Sequence, residues 1–171
     1  AKIMNISKIS NNYFSLEKKV IVVTGGVGLM GEKHAEAIME FGGIPLLLDI
    51  DDKKGRIIED SLNNSFEQNC KFIKCDITKE EQVKEINNWI VSKFNRIDGL
   101  INNAAINPKY DSIKSNNKSR LENFDISKWN EDLSVGLTGA LICSKVFGYE
   151  MSKSNGGVIL NISSDLGLIA P

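Results

Sequence analysis

The chain has 171 residues, 42% of them hydrophobic and 25% charged, with a formal net charge of −1. Such a chain suits one domain, residues 1–171, around a single core, and its charge gives no case for nucleic acid or an anionic membrane as partner. No apolar run approaches bilayer-spanning length, and the first nineteen residues lack the apolar centre of a signal peptide.

Residues 1–15 are polar and without a period, and read as a lead-in, in part disordered. A first strand is expected over Lys19 to Thr24, and a helix from about Leu29 to Phe41 that Gly42-Gly43 stops. Ile44 to Asp49 is nearly all apolar, as strands covered on both faces are. A second, less regular helix is expected from about Gly55 to Gln68, and a third strand over Lys71 to Asp76. Thr78 with Glu81 reads as a capping box. Val83, Ile86, Ile90 and Phe94 then repeat at helical spacing. Gly99 to Asn103 reads as a fourth strand, and Asn107 to Asn123 as a long surface loop. Ser127 would cap a helix from Trp129 to about Met151, with Leu133, Leu137, Ala140 and Leu141 on one side. Val158 to Ser163 completes five strands alternating with helices. That alternation predicts a doubly wound parallel α/β sheet of Rossmann type, whose ligands bind beyond the carboxyl ends of the strands.

Between the first strand and first helix lies TGGVGLMG, Thr24 to Gly31. Strand, glycine turn and helix together form a site where a pyrophosphate can rest on bare backbone, facing the positive end of the helix. Gly26, Gly28 and Gly31 satisfy GxGxxG, while Gly25, Gly28 and Gly31 satisfy the glycines of TGxxGxxG. Gly25, Gly28, Leu29, Met30 and Gly31 are therefore the candidate phosphate-binding residues. Asp49 ends the second strand eighteen positions after Gly31, where an acid meets the adenosine ribose hydroxyls and repels a 2′-phosphate; NAD is expected over NADP. Asp49 as a turn opener is the competing reading. Asp76 either receives the adenine amino group, with Ile77 against the ring, or serves the turn beside Thr78, and the two readings are compatible. The three cysteines, Cys70, Cys75 and Cys143, show no metal-ligand or redox spacing. They read as buried free thiols in a reducing, cytoplasmic setting, and no metal site is expected.

TGGVGLMG, the acid at Asp49, CDIT at Cys75 to Thr78, INNAA at Ile101 to Ala105 and LNISS at Leu160 to Ser164 follow in order. Together they resemble the short-chain dehydrogenase/reductase family over about Phe14 to Pro171. The resemblance implies hydride transfer between NAD(P) and an alcohol or carbonyl of a small-molecule substrate, in a homo-oligomer. It implies that Asn102 to Ala105 match the family's NNAG motif, with Asn103, Ala104 and Ala105 beside the cofactor. Ser164 matches the catalytic serine, which holds the substrate oxygen.

The chain departs from the family pattern in three ways. The glycine spacing is that of the sugar-nucleotide-modifying branch, whereas NNAA and LNISS resemble the compact branch. Gly136 stands where an asparagine is common. The catalytic Tyr-x-x-x-Lys expected after the serine lies beyond Pro171, while YEMSK at Tyr149 to Lys153 precedes the serine and reads as coincidence. A truncated member is expected, with its fifth strand an open edge. GLMGEKHAEAI and LSVGLTGALICSKVFG resemble bacterial members of surface-glycan or flagellin-glycan sugar synthesis. Two readings compete with an oxidoreductase: a non-catalytic dinucleotide-binding fragment, and an interaction subunit that pairs through the Trp129 helix.

Overall fold

The computed structural model describes residues 14–66, 69–106 and 120–164. The expected lead-in falls outside the described residues up to residue 13, and the expected loop does so over 107–119. The first strand, β1 (Val20–Thr24), is buried at every position. Its β-branched run suits a strand packed on both faces. Helix α1 (Leu29–Glu40) buries Gly31, Ala35, Ile38 and Met39, one stripe at helical spacing. Strand β2 (Ile44–Asp49) contains Pro45, yet lies inside the sheet. The Ile44 N–H bonds the Lys19 carbonyl on the β1 side, so the missing Pro45 donor faces the other side. There pairing with β3 (Lys71–Lys74) begins only at Leu46 and Lys71.

Helix α2 (Asp52–Ser65) starts before the expected Gly55, because Asp51 caps it by accepting the Lys54 N–H at 3.0 Å. Gly55 is an interior position whose bare face receives the Phe72 ring. Helix α3 (Glu80–Phe94) buries Val83, Ile86 and Ile90 as the spacing predicted. Its N-cap, however, is Lys79, with no side-chain cap bond. The expected capping box does not form, since the Thr78 hydroxyl donates to Asp76 Oδ1 at 2.6 Å instead. Strand β4 (Gly99–Asn102) follows.

The expected single helix from Trp129 is composite. A 3₁₀ turn, Leu121–Asn123, precedes α4 (Ile126–Leu133); a π-helical segment, Ser134–Gly139, then leads into α5 (Ala140–Ser152). Asp125, not Ser127, is the cap, accepting the Ser127 N–H at 2.8 Å and its hydroxyl at 2.7 Å. The wider π turn keeps residues four apart on one line longer than an α-helix does. Trp129, Leu133, Leu137 and Leu141 accordingly form one exposed apolar stripe. Buried Cys143, Phe147 and Met151 face the sheet.

Strand β5 (Val158–Asn161) pairs with β4, giving a parallel sheet in the order β3-β2-β1-β4-β5. Ile21, Val23 and Leu47 pack on α1 and α2, while Val20, Val22, Leu46, Leu48 and Leu100 pack on α3 and α5. This is the doubly wound α/β architecture. Among the described residues β5 is the sheet edge opposite β3, with Val158 70% exposed. No helix among the described residues is long and apolar enough to cross a membrane.

Candidate functional site

The chain runs β1, β2, β3 toward one edge, then returns across β1 to β4 and β5. The reversal point lies between the carboxyl ends of β1 and β4, where open α/β sheets bind ligands. Thr24, 1% exposed, ties these ends together. Its Oγ1 accepts the backbone N–H groups of Asn103 and Ala104, each at 3.1 Å. The Asn103 side-chain amide donates back to the carbonyls of Thr24 and Gly25, at 3.0 and 3.1 Å. Asn103 thus stands behind the site as a clamp, while Ala104 and Ala105 line the cleft in front.

Gly25 has φ of +61°, and a Cβ there would stand 2.8 Å from Ala104 Cα. Both facts require glycine. Gly31 is required differently: a Cβ would meet the Gly25 carbonyl and stand 2.7 Å from Gly26 Cα. It lets α1 enter directly over the loop. Gly28 is the N-cap of α1 and has no side chain to cap it. The first-turn N–H groups at Leu29, Met30 and Gly31 have no intrahelical acceptor, by the geometry of any helix start. The Leu29 and Met30 side chains are exposed.

A cleft of about 480 Å³ opens at this end of the sheet. Of the expected residues it is lined by Gly25, Asp49, Asp76, Ile77, Ala104 and Ala105; Gly28, Leu29, Met30, Gly31 and Asn103 lie outside its lining. Asp49 Oδ2 accepts the Val27 N–H at 3.3 Å, and its Oδ1 accepts the Asp51 N–H at 3.1 Å. The carboxylate is thereby held beside the glycine loop, with acceptor capacity left over. It is both the turn opener and an acid in the cleft. Asp76 likewise bonds the Thr78 N–H and hydroxyl through Oδ1, so the turn role is present. Ile77 lines the cleft but is 6% exposed, part of the core beneath the π segment. Sequence reasoning missed Glu131, Ser134 and Val135, which line the cleft from α4 and the π segment. The one available signal was their position within five residues ahead of Gly136.

No Lys or Arg is among the described lining residues, and Asp49, Asp76 and Glu131 form no ion pair among the described residues. They do not converge as metal ligands: among the described residues no three His, Cys, Asp or Glu side chains do. Burial, and then the Asp76 charge, push the Cys75 thiol in the cleft wall up to about 12. Cys70 and Cys143 are also buried and free.

Ser164 is exposed, three residues beyond β5. The approach to it is held by Asn102, whose amide donates to Asn161 Oδ1 at 2.8 Å and to Ser144 Oγ at 3.0 Å, and whose carbonyl accepts the Ile162 N–H at 3.0 Å. Ser164 is outside the lining of the cleft. Gly136 lies in the π segment, and a Cβ there would meet nothing within 4 Å. Tyr149 and Lys153 sit on α5 and just after it. The Lys153 ammonium lies 4.2 Å from the Tyr149 ring centroid, and neither residue lines the cleft.

A family model described as short chain dehydrogenase matches residues 19–170. The chain is 36% identical over 149 residues to an uncharacterized oxidoreductase of Thermotoga maritima, with 87% of this chain and 54% of that protein covered. It is 29% identical over 156 residues to post-translational flagellin modification protein A of Campylobacter coli, with 91% and 59% covered. Among solved structures, NAD⁺-bound xylitol dehydrogenase aligns with a TM-score of 0.81 at 27% identity, over 91% of this chain and 56% of that one. The chain spans about half the length of the curated relatives it matches.

Proposed function

This chain belongs to the short chain dehydrogenase family, and on that premise we propose that the whole protein is an NAD-dependent oxidoreductase acting on an alcohol or carbonyl of a sugar derivative. The observation that carries the reading is the junction of a bare glycine turn with an acid: the Val27 N–H in the turn bonds Asp49 Oδ2. Gly25 and Gly28 leave backbone open to a pyrophosphate, and Gly31 lets the start of α1 pack close behind it. Asp49 accepts from a ribose 2′-hydroxyl and repels a 2′-phosphate, which favours NAD over NADP. Asp76, Ile77, Ala104 and Ala105 border the same cleft. Bound NAD would supply a hydride acceptor. Ser164 would hydrogen-bond the substrate oxygen and hold it for transfer. The sugar class draws on the glycine spacing and on relatives named for flagellin modification and xylitol. The stripe of Trp129, Leu133, Leu137 and Leu141 suits self-association as a homo-oligomer, and three buried thiols suit a reducing cytoplasm.

One set of observations favours a second reading, a dinucleotide-binding unit without proton transfer. Gly136 supplies no side chain, and the Tyr149–Lys153 pair lies away from the cleft. Titration with NAD and NADP, on wild type and Asp49→Ala, tests the cofactor claim. Asp49→Ala is expected to weaken NAD by about tenfold and to narrow its advantage over NADP, the loss of one charged acceptor. Equal NAD affinity in both proteins overturns the role of Asp49. NADH formation with a panel of sugar derivatives separates the two readings: tight NAD binding with no turnover supports the second.

A further inference from the structure

Asp76 and Asp49 reach the cleft from the ends of β3 and β2, the half of the sheet away from β5 and Ser164. Glu131 joins them from α4, a separate element. An adenine base in that half presents a 6-amino group with two hydrogens to place. Asp76 has spent Oδ1 on the Thr78 N–H at 3.0 Å and hydroxyl at 2.6 Å, so Oδ2 is what it offers a base. Each Asp49 oxygen holds one backbone N–H, and the acceptor capacity that remains is the one assigned above to the ribose. The Ser134 hydroxyl donates to the Glu131 carbonyl at 2.7 Å. The Glu131 carboxylate has no hydrogen bond or ion pair among the described residues.

We infer that Glu131 is a specificity residue for the base: its carboxylate accepts the hydrogen of the adenine 6-amino group that Asp76 leaves. The inference rests on the dinucleotide reading above. It assigns to α4 a part of cofactor selection that the glycine loop and strand ends do not supply. Because Glu131 is exposed, its bond is partly screened by water and its effect is one of preference.

The test compares NAD with nicotinamide hypoxanthine dinucleotide, in which a carbonyl replaces the 6-amino group. The full chain is titrated calorimetrically with each, as wild type, as Glu131→Gln and as Glu85→Gln. Glu85 is an exposed acid on α3 outside the cleft, so its variant carries the same charge change elsewhere. Wild type is expected to prefer NAD. Glu131→Gln should cut that preference by about threefold or more, the effect of one hydrogen bond, because a glutamine amide also donates to the carbonyl. Glu85→Gln should keep the wild-type ratio, and equal melting temperatures should show that neither variant disturbs the fold. An unchanged ratio in Glu131→Gln, or no preference in wild type, overturns the inference and leaves the dinucleotide reading standing. NADP is titrated alongside as a third ligand, and a change confined to it overturns the inference too, since Glu131 would then act at the 2′ position. Wild type that binds none of these dinucleotides overturns both.

Discussion

Thr24 and Asn103 hold each other twice: the Asn103 backbone N–H donates to Thr24 Oγ1 at 3.1 Å, and the Asn103 side chain donates to the Thr24 carbonyl at 3.0 Å. The residue that ends β1 thus fixes the run that leaves β4, and with it the floor of the cleft. Thr24→Val keeps the shape and removes the acceptor, stranding the N–H groups of Asn103 and Ala104. It should lower unfolding free energy by about 1–3 kcal/mol, the cost of buried donors left unmet. Thr24→Ser keeps the oxygen and should lose less. Urea denaturation gives both values, and a Thr24→Val protein as stable as wild type would remove the clamp from the account.

Two glycines make opposite predictions. Gly31→Ala drives a methyl against the Gly25 carbonyl and Gly26 Cα, both backbone atoms that cannot swing aside. Overpacking of this kind costs about 1–3 kcal/mol, and here it also displaces the phosphate loop. Gly136→Ala meets nothing within 4 Å, has no positive φ and lies in a helical segment. It should gain about 0.5–1 kcal/mol from reduced chain entropy in the unfolded state. The melting temperatures should rank Gly136→Ala above wild type and wild type above Gly31→Ala. A reversal at either position contradicts the packing described.

Strands β1, β2 and β4 were legible because each is a short apolar run between polar turns, and a strand covered on both faces admits little else. Strands β3, exposed at both ends, and β5, exposed throughout, were legible from their place in the alternation of strands and helices. Asp49 was legible for a related reason, since its place follows from the length of one strand–helix–strand unit. Helix starts were less so. Thr78 and Asp125 are both good local capping residues, and only the fold decides that the Thr78 hydroxyl turns to Asp76 while Asp125 takes the Ser127 N–H. The π segment has no composition of its own: LSVGLTG is as compatible with an α-helix, and the Ile77 side chain packs so closely under Gly139 that a Cβ there would stand 2.7 Å from it. Glu131, Ser134 and Val135 reach the cleft from α4 and this segment, a placement that their polar or small side chains do not announce.

The thiols should be inert in the native protein. Burial is the main cause that pushes Cys70, Cys75 and Cys143 each up to about 12, with the charges of Glu59, of Asp76 and of Cys75 respectively adding to it. At pH 8 the thiolate, the reactive form, is then roughly one part in ten thousand, and the sulfurs are enclosed as well. Iodoacetamide followed by mass spectrometry should add nothing within minutes to folded protein, and three groups in denaturant. Rapid native labelling of Cys75 would mean that the cleft wall opens.

Acid stability should turn on Asp98. Its carboxylate accepts the Val20 N–H at 2.9 Å, the Lys19 ammonium at 3.1 Å and the Arg96 guanidinium, tying β1 to the segment that enters β4. Burial by itself would raise its pKa, but the bonds from Arg96, Val20 and Lys19 outweigh burial and hold it below the usual carboxylate range. In the unfolded chain the group titrates at about 3.9, so on acidification the unfolded state takes up the proton first. The stabilisation is therefore complete above the unfolded value, and drains away as pH falls through the lower folded one. Wild-type unfolding free energy should drop with pH below about 4.5. Asp98→Asn should be less stable at pH 7 by about 1 kcal/mol, since both cations are partly exposed and screened. Its curve should also be flatter in the acid range, so that the gap between the two proteins narrows as pH falls below the unfolded pKa. Parallel curves from pH 7 to pH 3 would show that Asp98 does not couple folding to acid, and would place the acid-sensitive contact elsewhere.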